Sequence, residues 1–196
     1  MKAMRFRKFL AFIAVLGVVS NAPLNIHADT EAPKSFHITN EISDNFAQKV
    51  INSYLQIPES VRLSFENSGG TIELSTNDLG VKFYGKENTV LAYIDTDTLT
   101  IYIDYREKAV KSVQHEIGHY LDYSNGWLSS TDEFKRIHNE EVSSFCKVHK
   151  TAKQNTNTTV EYFAESFEFY INNSQTLLAS CPQTYAFIDA IVKGGN

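Results

Sequence analysis

The sequence predicts an α+β fold, in which an N-terminal helix and a small twisted sheet are followed by an all-helical C-terminal half. Alternating apolar and polar residues, the pattern typical of strands, are confined to residues 61–103. Helical periodicity occurs once before them, in residues 40–56, and dominates after residue 106. Strands grouped first and helices grouped after them indicate an α+β arrangement and not alternating β-α units.

The chain begins with a segment typical of a signal peptide. Four of the first eight residues are Lys or Arg, and residues 9–19 form an uninterrupted apolar run. This run is too short to span a bilayer comfortably. We expect cleavage after Ala28, with a site near Ala22 as the alternative. Residues 1–28 are then the signal peptide, residues 29–196 are one domain, and the mature protein is secreted.

The composition narrows the possible partners and covalent chemistry. A formal net charge of −5 disfavours nucleic acid and anionic membranes as partners. We therefore expect no nucleic-acid binding and no stable membrane association. Separately from the charge, we expect a monomer. Two cysteines, Cys146 and Cys181, are too few for a disulfide scaffold. One bridge and two buried thiols both remain open.

Before residue 106, the chain alternates between one helix and several strands. Ile42, Phe46, Val50 and Tyr54 recur every four residues, which predicts an amphipathic helix that Pro58 ends. The next predicted element is a hairpin with strands at 61–65 and 71–74 and a turn at Gly69-Gly70, followed by strands at 81–84, 90–94 and 99–103. Four helices are predicted after the sheet, at 107–123, 132–150, 159–173 and 183–193.

The first of these four helices carries the strongest chemical signal in the chain. Residues 115–119 read His-Glu-Ile-Gly-His. Positions i and i+4 of a helix lie one turn apart on one face, so His115 and His119 can bind one metal ion. Glu116 lies close enough to act on a water at that ion. This H-E-x-x-H pattern is the signature of zinc peptidases.

A catalytic zinc ion needs a third protein ligand, which we expect from a second helix. Glu161 and Glu165 lie one turn apart in residues 158–170, within an otherwise aromatic segment. Burying two carboxylates there costs several kcal/mol unless a cation or hydrogen-bond donors compensate. We expect Glu161 to bind the metal and Glu165 to accept a hydrogen bond from a ligand histidine.

Each of these residues also has a plain structural interpretation. His115, Glu116 and His119 could form a solvated helix face, and Glu161 could be a surface carboxylate favoured by the helix dipole. Glu165 could simply lie on a helix surface.

Four other side chains have stronger structural than functional interpretations. Asp122, His138 and His149 are expected at the surface, and Trp127 is expected to be partly buried at the edge of the core.

Three motifs follow one another in the C-terminal half: HEIGHYLD at 115–122, EYFAESF at 161–167 and PQTYAFI at 182–188. In this order they resemble the lethal-factor-like zinc metallopeptidases. That family includes the catalytic domain of anthrax lethal factor and the secreted Pro-Pro endopeptidases of Gram-positive bacteria. The resemblance covers about residues 112–191. It implies a zincin-like domain whose helical half carries the metal site, with Glu161 as the zinc ligand and Glu165 behind it.

One position departs from the family pattern. The family places a Tyr, whose hydroxyl stabilises the oxyanion, seven residues before the glutamate ligand. Here that position is Gln154, so His149 or a Tyr from elsewhere is left for the role.

The expected function is therefore that of a secreted metalloendopeptidase with one Zn²⁺ per chain, held by His115, His119 and Glu161. Glu116 is the expected general base, and the resemblance implies peptide or protein substrates with proline at the cleavage site. It also fits a Gram-positive source. The alternative is a catalytically weak or inactive pseudo-peptidase that acts as an exported binding protein, an interpretation that Gln154 favours and Glu116 disfavours.

Overall fold

The computed structural model describes residues 32–38, 41–87, 90–149 and 156–194. The expected signal peptide and Gln154 lie outside these ranges. Within them, no helix combines the length and the apolar character needed to cross a bilayer.

The described residues form seven helices and a four-stranded mixed sheet, which confirms the predicted α+β class. The strands are β1 (Phe36–His37), β2 (Thr71–Ser75), β3 (Ala92–Asp95) and β4 (Thr100–Asp104). The helices are α1 (Asp44–Leu55), α2 (Glu59–Asn67), α3 (Leu79–Tyr84), α4 (Ser112–Ser124), α5 (Asp132–Val148), α6 (Thr159–Ser180) and α7 (Pro182–Val192).

The sheet has the order β1-β2-β4-β3, with β3 at one edge. β1 and β2 run parallel, as do β2 and β4, whereas β3 runs antiparallel to β4. The strands predicted at 90–94 and 99–103 correspond to β3 and β4, and the four C-terminal helices are also present. The third of these extends beyond its predicted end to Ser180, with a kink at Asn173 (φ −144°, ψ 40°).

The predicted hairpin at 61–74 is wrong, because its first strand is helix α2. Val61 and Phe65 are one helical turn apart and are both buried, whereas Leu63 is 45% exposed. The same three residues satisfy strand alternation and an i, i+4 helical face, so the pattern alone could not decide. Pro58 precedes the helix, where its missing N–H leaves no hydrogen bond unmade.

The predicted strand at 81–84 is also wrong, since these residues belong to α3. The Asp78 carboxylate caps this helix by accepting hydrogen bonds from the N–H groups of Gly80 and Val81. Gly85 ends it in the left-handed conformation at φ +65°. Conversely, β1 is a strand that the sequence pattern did not predict, and its Phe36 pairs with Ile72.

The third motif ties α7 to the two helices beside it. The buried Glu141 carboxylate of α5 accepts hydrogen bonds from the N–H groups of Gln183 and Thr184, at 3.0 and 2.8 Å. The Thr184 hydroxyl also donates to Glu141, at 2.7 Å, and so accepts from the Tyr162 hydroxyl of α6, at 2.8 Å. Glu141 therefore supplies the N-terminal cap that α7 lacks from its own residues.

The two helices that carry the metal motif cross at very short range. A β carbon placed on Gly118 of α4 would lie 2.8 Å from the Ala164 Cα and 3.1 Å from the Ala164 carbonyl oxygen on α6. These distances are below van der Waals contact, so a hydrogen at position 118 is required for the crossing. Gly118 in the first motif and Ala164 in the second thus allow α4 and α6 to approach each other.

We predict that Glu141→Ala lowers the free energy of unfolding by about 3 kcal/mol, because it leaves buried donors without an acceptor. Denaturant unfolding of the metal-free protein measures this loss. Glu140→Ala is the matched control, since Glu140 is an exposed neighbour paired with Arg136 and should change stability by under about 0.5 kcal/mol. Equal effects of the two substitutions would contradict the capping role.

We predict that Gly118→Ala costs about 1–3 kcal/mol of stability through overpacking and also weakens divalent-metal binding, because it drives α4 from α6. Unfolding and metal titration measure the two effects. Gly126→Ala is the control: Gly126 has φ +80° but open space around it, so strain should lower stability without changing metal affinity. Unchanged metal affinity in Gly118→Ala would contradict the spacing argument.

Candidate metal centre

The crossing of α4 and α6 brings two imidazoles and one carboxylate together. His115 Nε2 lies 3.3 Å from Glu161 Oε2, and His119 Nε2 lies 3.7 Å from Glu161 Oε1. The two imidazole centroids are 4.8 Å apart with their planes at 83°. One donor atom from each of the three residues falls within 4.8 Å of the others.

This spacing fits a single small cation. Ligands at about 2.1 Å from a tetrahedral zinc ion stand about 3.4 Å from one another. Two imidazoles and a carboxylate are also a donor set that catalytic zinc uses, with the fourth position left for water or substrate. The three side chains are partly exposed to a cleft, so a fourth ligand has access. The residues present therefore fit a zinc ion.

The protonation of the histidines reflects the negative charge around them. Burial disfavours the imidazolium of His115, but the hydrogen bond to Glu161 and the charges of Glu116 and Glu165 outweigh it and raise the pKa of His115 to about 9. Burial and the charge on His115 lower the pKa of His119 to about 4. The hydrogen bond from His115 lowers the pKa of Glu161. In the metal-free protein, the negative charge around His115 thus favours its protonated form.

Glu116 lies beside this group and is only 6% exposed. Burial, together with the charge of Glu161, raises its pKa to about 7, although the charge on His115 and a backbone hydrogen bond from Ile94 oppose the shift. A carboxylate whose pKa lies near neutrality can both take and return a proton at physiological pH. The raised pKa makes the Glu116 side chain suited to acid–base chemistry.

Glu165 lies one turn after Glu161 and faces two imidazoles. Its Oε1 is 3.7 Å from His115 Nδ1, and its Oε2 is 3.5 Å from His149 Nε2. The Glu165 side chain is 7% exposed and that of His149 is 12% exposed. The expectation that His149 lies at the surface is therefore wrong, because the end of α5 packs its ring against α6.

Two further expectations about single residues, those for Asp122 and His138, are wrong, whereas partial burial of Trp127 is consistent with the structure. Asp122 is fully buried: its carboxylate accepts from the N–H and the hydroxyl of Ser129, each at 2.6 Å, and secures the turn after α4. His138 is half-buried, with Nε2 3.0 Å from the Thr156 carbonyl oxygen. Trp127 is 45% exposed, beside Tyr123, and has a positive φ of 61°.

The metal group opens into a cleft of about 1040 Å³ between the edge strand β3 and helices α4 and α6. Residues 90–94 form one wall, and His115, Glu116, His119 and Glu161 lie along the other. This volume is at the upper end of ordinary ligand pockets and is large enough for several residues of an extended chain.

Sequence reasoning missed Glu168, which also lines the cleft. Burial and the charge of Glu165 raise the pKa of Glu168 to about 7. The signal was available, since residues 161, 165 and 168 follow the i, i+4, i+7 spacing of one helix face. With His115 and Glu165, Glu168 forms a second close group of metal-ligating side chains that shares an imidazole with the first.

Comparison with known proteins finds two peptidases that are similar to the chain. A Pro-Pro endopeptidase from Clostridioides difficile (strain 630) is 24% identical over 95% of this chain and 98% of its own length. The structure of the Pro-Pro endopeptidase PPEP-2 from Paenibacillus alvei superposes with a TM-score of 0.65 at 20% identity, covering 81% of this chain and 97% of that one. The chain thus has the zincin-like fold that the motifs imply.

The family model described as anthrax toxin lethal factor, N- and C-terminal domain, matches residues 76–191. This range contains all three motifs and both helices of the candidate metal centre. The chain therefore belongs to the anthrax lethal factor family.

Proposed function

We propose that the chain is a secreted, zinc-dependent metalloendopeptidase that holds one Zn²⁺ with His115, His119 and Glu161. The observation that carries this proposal is the convergence of the three donor groups within 4.8 Å at the wall of a long cleft. The peptidases among its relatives support the reaction class.

The chemistry divides between the metal and the chain's own residues. When bound, zinc supplies a Lewis acid that activates water and polarises the scissile carbonyl. Glu116 accepts a proton from the attacking water and delivers it to the leaving amine, so the carboxylate is regenerated without a covalent intermediate. In the metal-free protein, burial raises the pKa of Glu116 to about 7, which suits a group that first accepts a proton and then returns it.

The substrate is a peptide bound in extended form along β3. This strand pairs with β4 on one side and lines the cleft on the other, which suits the addition of a further strand by main-chain hydrogen bonds. Because the curated relative is named a Pro-Pro endopeptidase, proline-containing sequences are the first substrates to test.

Export follows from the N-terminal pattern of basic residues and an apolar run, and we propose that the mature chain starts at residue 29 and acts as a monomer. Mass spectrometry of the protein recovered from culture medium identifies the N-terminus.

A second candidate function is that of an exported pseudo-peptidase that binds peptides without cleaving them. Gln154, at the position of the family's oxyanion tyrosine, favours it. The buried and suitably tuned Glu116 disfavours it, since a binding protein has no use for a general base.

We predict that Glu116→Gln lowers kcat by about 10²–10⁴ while leaving close to one zinc per chain, because it removes only the proton acceptor. Cleavage of a proline-containing peptide library and elemental analysis measure the two properties. Glu107→Gln is the control, since Glu107 lines the same cleft but is an exposed partner of Lys49. Zinc without cleavage in the native chain would favour the pseudo-peptidase, and absence of zinc would overturn the proposal.

We predict that Glu161→Ala weakens zinc binding by more than about 100-fold, because it removes a metal ligand. Loss of a residue that only contacts a ligand costs about 10–100-fold. A chelator-competition titration measures the dissociation constant, and circular dichroism checks that the helices remain. Glu168→Ala is the control, as Glu168 belongs to the same helix face but lies outside the proposed ligand set. Equal zinc affinities of the two variants would contradict the assignment of Glu161.

A further inference from the structure

We propose that His149 is a positioning residue of the metal centre: its imidazole fixes the Glu165 carboxylate, and Glu165 in turn orients the ligand His115. The inference rests on the proposed zinc peptidase function. It assigns a role to a residue at the end of α5, on a segment that carries none of the three family motifs.

The contacts form one continuous path from α5 to the metal group. His149 Nε2 lies 3.5 Å from Glu165 Oε2, and Glu165 Oε1 lies 3.7 Å from His115 Nδ1. The other nitrogen of His115, Nε2, points to Glu161 at 3.3 Å. Each oxygen of Glu165 thus faces a different imidazole. The path enters His115 at Nδ1, and the proposed metal-binding nitrogen is Nε2 of the same ring.

Two aromatic rings hold the His149 imidazole in place. It stacks on Phe145 with centroids 5.3 Å apart and planes at 11°, and it meets Phe169 edge-on at 5.0 Å and 68°. The His149 backbone N–H also donates to the Phe145 carbonyl oxygen, at 2.9 Å, at the C-terminal cap of α5. These contacts fix both the backbone and the ring plane of His149, so its Nε2 is directed at Glu165 before any metal ion binds. Little further side-chain entropy is then lost when the site binds a metal ion.

The Glu165 carboxylate is a group that needs such fixing. It is 7% exposed and lies in a region that also contains Glu168, whose pKa its charge raises. A buried carboxylate is stable only where donors or cations surround it. Replacing His149 by an apolar side chain would remove one imidazole contact from Oε2. The carboxylate would then reorient, and its ionic contact with His115 Nδ1 at 3.7 Å would weaken.

This geometry distinguishes positioning from catalysis. His149 lines the cleft, but its Nε2 is directed at Glu165, so it acts through another side chain. Outer partners of this kind are commonly worth 10–100-fold in metal affinity.

The test compares two substitutions at His149 with one at His138, another imidazole on α5. His149→Leu removes the ring nitrogens, whereas His149→Gln keeps a side-chain N–H close to the position of the imidazole Nε2. A cavity of about 390 Å³ next to His149 gives both side chains room. His138→Leu is the matched control, because the His138 Nε2 lies beside the Thr156 carbonyl oxygen and the ring contacts Tyr162.

We expect His149→Leu to raise the zinc dissociation constant 10–100-fold, measured by chelator competition, and His149→Gln to stay within about threefold of the native protein. His138→Leu should leave the constant unchanged. In ¹⁵N spectra of the zinc-loaded protein, the His115 Nδ1–H signal should shift in His149→Leu only. Combining His149→Leu with Glu165→Gln should weaken binding no more than Glu165→Gln alone, since both break one path.

Native-like zinc affinity in His149→Leu would overturn the inference, as would additive effects in the double variant. If His149→Gln lost as much affinity as His149→Leu, with the same loss of thermal stability, the ring would matter only for packing and the inference would also fail. Absence of zinc from the native protein would overturn the proposed function itself, so the two failures are distinguishable.

Discussion

The candidate metal centre depends on the close crossing of α4 and α6. His115 and His119 lie on one face of α4, and Glu161 lies in the first turn of α6, so the three donor groups meet only if the two backbones nearly touch. Gly118 opposite Ala164 permits that approach. A functional site tolerates displacements of only about 0.5 Å. Gly118, inside the H-E-x-x-H motif, is therefore required for the donor geometry, just as the two histidines are.

Once the helices cross, charge becomes the second constraint. Glu116, Glu161, Glu165 and Glu168 all face the cleft beside aromatic and aliphatic side chains. Without a cation, burial raises the pKa values of Glu116 and Glu168, and a proton remains on His115. Perturbations of this kind cluster at functional sites. A divalent cation among the donors would replace the proton and lower the electrostatic cost of keeping four carboxylates together.

The sequence predicted the helical half well and the first half poorly, for physical reasons. The expectation that His115, His119, Glu161 and Glu165 lie close together agrees with the structure, because i, i+4 spacing places each pair on one face of its helix. Residues 61–65 failed because Val61 and Phe65 fit two periods at once, and residues 81–84 failed because the caps at Asp78 and Gly85 outweigh the alternation. The place of His149 could not be read from the sequence, since it depends on where the end of α5 lies against α6.

The third motif belongs to the metal centre although none of its residues approaches the donor atoms at hydrogen-bond distance in the described contacts. Tyr162 follows Glu161 directly, and its hydroxyl bonds to Thr184, which in turn bonds to the buried Glu141. The side chain after the proposed ligand is thereby anchored to α7 and α5. Hydrogen bonds thus link the third motif to the residue next to the proposed ligand, and α4 and α6 supply the donor groups.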